Sequence, residues 1–250
     1  MTVRPDDVVL RGERLVRVFP SAAGEVHACD GIDLELRAGE LLAVRGASGA
    51  GKTTLLNLLG VLDRPTSGRV VIGDVDTTDL SEDELAALRR RELGFVFQSF
   101  GLIPVLSARE NVELPLRIAG VEAAERDARV AEALAMVGLG AHAEQRPAEL
   151  SGGQQQRVGV ARAIVARPRV LIADEPTGQL DSRTATTIMD LLGELAHDQG
   201  LAAIVSTHDP LLVARADRVI EIHDGRIVGA VAQAPRTRAE ARHGRGVSEA

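Results

Sequence analysis

Along the chain, short apolar runs alternate with longer stretches in which apolar positions recur every three or four residues. Residues 15–19, 32–36, 41–44, 69–72, 94–97, 170–173 and 202–206 are runs of strand length, bounded by glycine, proline or charged residues. Residues 218–223 and 226–228, joined by Asp224-Gly225, predict a closing hairpin. Helices are predicted over 53–59, 151–166 and 182–196, and Ser81 with Glu84 forms a capping box that opens another towards Arg91. From about Ser99 to Ala148 the strand runs stop, and spacing such as that of 121–137 predicts a helical subdomain. Residues 20–28 read as a polar loop, 1–12 as a flexible arm, and 232–250 as an arginine-rich disordered tail. Strands alternating with helices over 250 residues predict one large α/β domain, or a core with a smaller subdomain.

The sharpest chemical signal sits between the run at 41–44 and the helix at 53–59. Residues 46–53 read GASGAGKT and fit G-x-x-x-x-G-K-[ST], the Walker A phosphate loop. Its candidate binding residues are Gly46, Ala47, Ser48, Gly49, Ala50, Gly51, Lys52, Thr53 and Thr54. Glycines let the backbone curl until its N–H groups converge on phosphate oxygens, and the following helix adds its partial positive end. Lys52 is expected to reach the outer phosphates and the Thr53 hydroxyl to ligate Mg²⁺. Lys52 is the chain's single lysine, every other basic residue among 29 being arginine. A compact ammonium fits inside a ring of amides where a planar guanidinium fits poorly. The plain alternative is a glycine-rich turn with a chance lysine.

Two more segments bear on this loop. VLIADE, 170–175, is an apolar strand ending in two carboxylates, the Walker B pattern. Asp174 would hold Mg²⁺ through water while Glu175 polarises the attacking water, two jobs that need separate carboxylates. Taken alone, the pair could simply begin a turn before Pro176. LSGGQQQR, 150–157, is a helix start with Ser151 as N-cap, followed by glycines that permit close approach of a phosphate. With the Walker pair, it makes the chain resemble the ATP-binding cassette family over roughly Leu15 to Val228.

That resemblance implies an α/β fold: a P-loop NTPase (RecA-like) core with a small antiparallel β subdomain and an inserted α-helical subdomain at about 99–158, within a cassette spanning 13–231. It implies ATP and Mg²⁺ as ligands, and ATP hydrolysis coupled to transport. It implies a head-to-tail homodimer in which Ser151, Gly152, Gly153 and Gln154 of one copy close on nucleotide held by the other. Gln98 resembles the Q-loop glutamine that senses Mg²⁺ and the attacking water. Asp181, in GQLD, resembles the D-loop aspartate, and the family more often has Asn where Gln179 stands. His208, in STHD, resembles the switch histidine that contacts the γ-phosphate. Phe19 is the upstream candidate to stack on adenine, or else part of a strand core. The textures of 58–70 and 88–116 are similar to the lipoprotein-release and macrolide-export ATPases and to a cell-division ATPase that drives a membrane partner. A separate membrane permease is therefore expected, with the chain peripheral on the cytoplasmic face of the membrane. Ribosome- or DNA-directed cassette ATPases generally carry two cassettes or coiled-coil insertions, and a small-molecule kinase would not need LSGGQQQR or His208.

Composition narrows this picture without changing it. The net charge of −7 argues against a duplex-binding surface, so no nucleic-acid partner is expected. One cysteine, Cys29, excludes an intrachain disulfide and points to a reducing compartment. No apolar run approaches the length of a membrane span, and the first residues do not have the layout of a signal peptide.

Overall fold

The computed structural model describes residues 7–22 and 24–232, and the structural statements below concern those residues. In chain order the elements are β1 (Val8–Ser21), β2 (Gly24–Arg37), β3 (Leu41–Arg45), α1 (Lys52–Leu59), β4 (Ser67–Ile72), β5 (Val75–Asp76), α2 (Glu82–Glu92) and β6 (Leu93–Val96). They continue with α3 (Ala108–Ile118), α4 (Ala123–Met136), α5 (Gly152–Ile164), β7 (Val170–Asp174), α6 (Ser182–Gln199), β8 (Ala202–Thr207), α7 (Pro210–Val213), β9 (Arg218–His223) and β10 (Arg226–Ala232).

The central sheet has the order β10-β9-β3-β8-β7-β6. Its strands from β9 to β6 are parallel, and β10 closes one edge as an antiparallel hairpin partner of β9. A buried parallel strand is apolar on both faces, which is why 41–44, 170–173 and 202–205 are unbroken apolar runs. The period of two sends alternate residues to two separate cores. Leu41, Ala43, Leu171, Ala173, Ala203 and Val205 pack on the side of α3, α4, α5 and α6. Leu42, Val44, Val170, Ile172, Ala202 and Ile204 pack on the other side, with α1, α2 and the second sheet. That second sheet, β2-β1-β4-β5, is antiparallel throughout. The capping box at Ser81 and Glu84 starts α2 as its residues predict.

Several expectations shift. The polar stretch 20–28 is mostly a continuation of a long hairpin, in which Phe19 pairs with Val26 and Ser21 with Gly24. Ladder hydrogen bonds hold it beyond the core, so no buried face imprints an alternation there. The arm expected up to residue 12 overlaps β1, which begins at Val8, while residues 1–6 lie outside the described ones. Of the expected tail, Ala232 ends β10 and 233–250 likewise lie outside. The run at 94–97 is shifted by one residue, since Phe97 follows β6 and is exposed. The helix expected over 151–166 is α5, Gly152–Ile164, and its Ala163 carbonyl lies against Gly94 of β6. Cys29 is fully buried, and burial pushes its thiol up to about 12.

At the N-terminal end of β3 a polar staple joins α6 to the sheet. The Asp217 carboxylate accepts from the Leu41 amide at 2.8 Å and lies 3.0 Å from His197 Nε2. The Asp217 bond raises the pKa of His197 above its ordinary 6.5. Burial acts to raise Asp217, but the imidazole and the Leu41 amide outweigh it and leave that carboxyl below its ordinary 3.8. His197 therefore stabilises the fold fully below 6.5 and progressively less as pH rises through its raised value. Asp217 stabilises it fully above 3.8 and less as pH falls through its lowered value. In Asp217→Asn, the NMR titration of His197 is expected to return towards the ordinary imidazole value, and an unmoved titration would contradict the staple.

Candidate active site

Four of the candidate segments leave the C-terminal ends of strands that are neighbours in the sheet. The phosphate loop follows β3, His208 follows β8, Asp174 and Glu175 end β7, and Gln98 follows β6, in the spatial order β3-β8-β7-β6. In an open α/β sheet this edge is where ligands bind.

Lys52 is 6% exposed. Its ammonium donates to the Gly46 carbonyl at 2.9 Å and the Ala47 carbonyl at 3.0 Å, and lies 3.6 Å from Glu175 Oε1. The loop is curled around its own lysine, whose ammonium is held by two loop carbonyls and one carboxylate. Gly51 has φ 104° at the N-cap of α1, and a Cβ there would run into the Ala28 carbonyl. The turn at Gly225 braces the loop from behind, its amide donating to the Ala50 carbonyl at 3.1 Å. No side chain caps α1, so its first-turn amides stay open to an anion, whereas Ser81, Ser107, Ser151, Asp181 and Asp209 cap α2, α3, α5, α6 and α7. Ser48, Gly49 and Thr53 are exposed, and Thr54 is half-buried.

Thr53 Oγ1 donates to Asp174 Oδ2 at 2.9 Å. Ser206 Oγ donates to the other oxygen, Oδ1, at 2.6 Å and accepts from the Glu175 amide at 2.8 Å. Glu175 has φ 42°, a conformation that strains a residue with a side chain. Its Oε1 lies 3.6 Å from His208 Nδ1, and His208 is exposed. Lys52, Thr53, Asp174, Glu175 and His208 thus form one group. No motif marks Ser206 in the sequence. The available signal was a serine closing an apolar run immediately before Thr207 and His208. A hydroxyl beside a carboxylate is a hard oxygen donor set of the kind Mg²⁺ takes. Among the described residues no three His, Cys, Asp or Glu are placed to hold a metal ion together, so phosphate and water oxygens would complete such a shell.

The other predicted residues sit elsewhere. The Gln98 side chain lies against Gly178, where a Cβ would meet its Nε2 at 2.7 Å. Ser151 caps α5, accepting from the Gln154 amide at 3.3 Å while its own amide donates to Gln154 Oε1 at 2.8 Å. Gly152 lies against Leu180, and Gly153 touches the start of α6 so closely that a Cβ would overlap the Thr184 methyl. Asp181 caps α6 through the Arg183 and Thr184 amides. The Thr184 hydroxyl, donating at 2.6 Å, and then the Thr184 amide hold the Asp181 carboxyl below the usual carboxylate range. Among the described residues, no hydrogen bond or ion pair joins Ser151–Gln154 to the group around Lys52. Phe19 is 37% exposed, with the Arg17 guanidinium 4.6 Å above its ring. That exposure removes the strand-core alternative for Phe19.

Comparison with known proteins agrees with this geometry. The chain is 50% identical over 220 residues to the macrolide export ATP-binding/permease protein MacB of Brucella melitensis, covering 88% of this chain and 34% of MacB. It is 53% identical over 215 residues to the pyoverdine export ATP-binding/permease protein PvdT of Pseudomonas savastanoi pv. phaseolicola, covering 85% of this chain and 33% of PvdT. It therefore spans about a third of the length of these curated relatives. Among solved structures, the ATP-binding cassette MJ0796, a dimer bound to ADP and Pi, superposes with a TM-score of 0.81 at 40% identity, covering 89% of this chain and 98% of that one. These cassettes share the P-loop NTPase core with its β and helical subdomains. A family profile described as "ABC transporter" matches residues 29–178, more than half of the chain. With the Walker A loop, the Asp174-Glu175 pair and LSGGQQQR all present, the chain belongs to the ABC transporter family as an ATP-binding cassette.

Proposed function

We propose that this chain is the ATP-hydrolysing unit of an export-type ABC transporter, working as a head-to-tail homodimer against a membrane permease. The observation that carries this reading is the division of the candidate residues into two groups. Lys52, Thr53, Asp174, Glu175 and His208 are linked around one end of the loop, while Ser151–Gln154 start α5 and, among the described residues, make no hydrogen bond or ion pair with them. A second copy, turned head to tail, would bring its serine to the phosphates held by the first.

In this reading the first-turn amides of α1 and Lys52 bind the phosphates. Thr53 and Asp174 would hold Mg²⁺, which when bound would neutralise charge on the transferring phosphoryl group. Glu175 accepts the proton of the attacking water as the bond from phosphorus to the leaving oxygen breaks. His208, with Gln98 nearby in the strand order, faces the terminal phosphate, and Phe19 offers its ring to the base. Closure on ATP and opening after hydrolysis would move the permease through the Gln98 segment and the helices from α3 to α5. No helix among the described residues is long and apolar enough to cross a membrane. The names of MacB and PvdT support export as the direction.

A dilution series tests the shared site. Turnover per subunit is expected to rise with protein concentration and level off where sedimentation shows the nucleotide-bound dimer to be complete. Full turnover at concentrations where only monomer sediments would sink the composite site, and no turnover at any concentration would sink the enzyme. Co-purification with a permease from membranes checks the transport assignment.

A further inference from the structure

The hydroxyl of Ser206 bonds to both residues of the Asp174-Glu175 pair. It is fully buried at the end of β8, where it lies opposite Asp174 in the parallel ladder. Its hydrogen goes to Asp174 Oδ1 at 2.6 Å. That leaves Oδ2, the oxygen 2.9 Å from the Thr53 hydroxyl, as the one that faces the phosphate loop. Its lone pair takes the Glu175 amide at 2.8 Å, in the peptide that leads into the strained φ of 42°. That bend aims the Glu175 carboxylate between Lys52 and His208, 3.6 Å from each. Without the hydroxyl, the Asp174 carboxylate is free to turn about its last bond, and a part-buried backbone donor loses its acceptor.

We propose that Ser206 is a positioning residue that assigns the two carboxylates their separate tasks, Asp174 to the metal and Glu175 to water. Its hydroxyl lies outside the metal's own ligands, and outer partners of metal-binding carboxylates commonly change metal affinity by roughly 10- to 100-fold when removed. The inference rests on the ATPase reading above.

The test measures metal and nucleotide binding separately from turnover. In a Glu175→Gln background that does not consume ATP, Mn²⁺ affinity for the ATP-loaded full chain is read by electron paramagnetic resonance. ATP affinity is read in EDTA. Ser206→Ala is expected to weaken Mn²⁺ binding roughly tenfold and to change metal-free ATP affinity less than about twofold. Ser206→Cys nearly preserves the volume but offers only a weak donor, so it is expected to follow alanine. A cysteine variant that behaves like the parent, or an alanine variant that loses metal-free ATP affinity by the same factor, assigns Ser206 to packing and overturns the proposal. Unchanged Mn²⁺ affinity in the alanine variant also overturns it while leaving the ATPase reading intact. A parent with no metal-dependent ATP binding overturns both.

Discussion

Glu175→Gln is expected to lower ATP turnover by about 10²- to 10⁴-fold, the usual contribution of a general base, while nucleotide still binds. The amide preserves the shape of the side chain but cannot take a proton from water. It also withdraws a negative charge 3.6 Å from the Lys52 ammonium, the place that incoming phosphate must occupy. ATP affinity is therefore expected to hold or improve, and the closed dimer to accumulate. Size-exclusion chromatography with Mg²⁺ and ATP, run beside a phosphate-release assay, reads both. Parental turnover in this variant would remove Glu175 from the chemistry.

Lys52→Ala acts at the earlier step. Removing one partner of a desolvated charge contact costs about 2–5 kcal/mol, so ATP affinity should fall roughly 30- to 5,000-fold. Lys52→Arg is expected to fare little better, because the ammonium is folded back onto the Gly46 and Ala47 carbonyls inside the loop. A guanidinium fork cannot adopt that compact position. Equilibrium binding of a fluorescent ATP analogue measures the loss, and unchanged affinity would contradict the cradle.

Much of the architecture can be read from the residues because the physical signal is local. The strands β3, β7 and β8 are apolar without interruption since both faces are buried, and Ser81 with Glu84 announces α2 through a bond between neighbours. The loop at 46–53 is legible for the same reason, its glycines and lysine being contiguous. What escapes is held by distant partners. The hairpin around residues 20–28 is stabilised by its own ladder outside the core, so polar residues conceal it. Ser206 reaches Asp174 across 32 positions and Asp217 reaches Leu41 across 176, contacts that only the sheet order creates.

The cap at the start of α5 carries one more consequence. Ser151 holds the Gln154 amide through its oxygen, and among the described residues its hydroxyl hydrogen has no acceptor. An anionic oxygen brought up from outside can take that hydrogen without unwinding the turn or giving up a bond already made. Recognition of an anion at this end of the helix therefore begins with its geometry in place, and little ordering entropy is lost on binding.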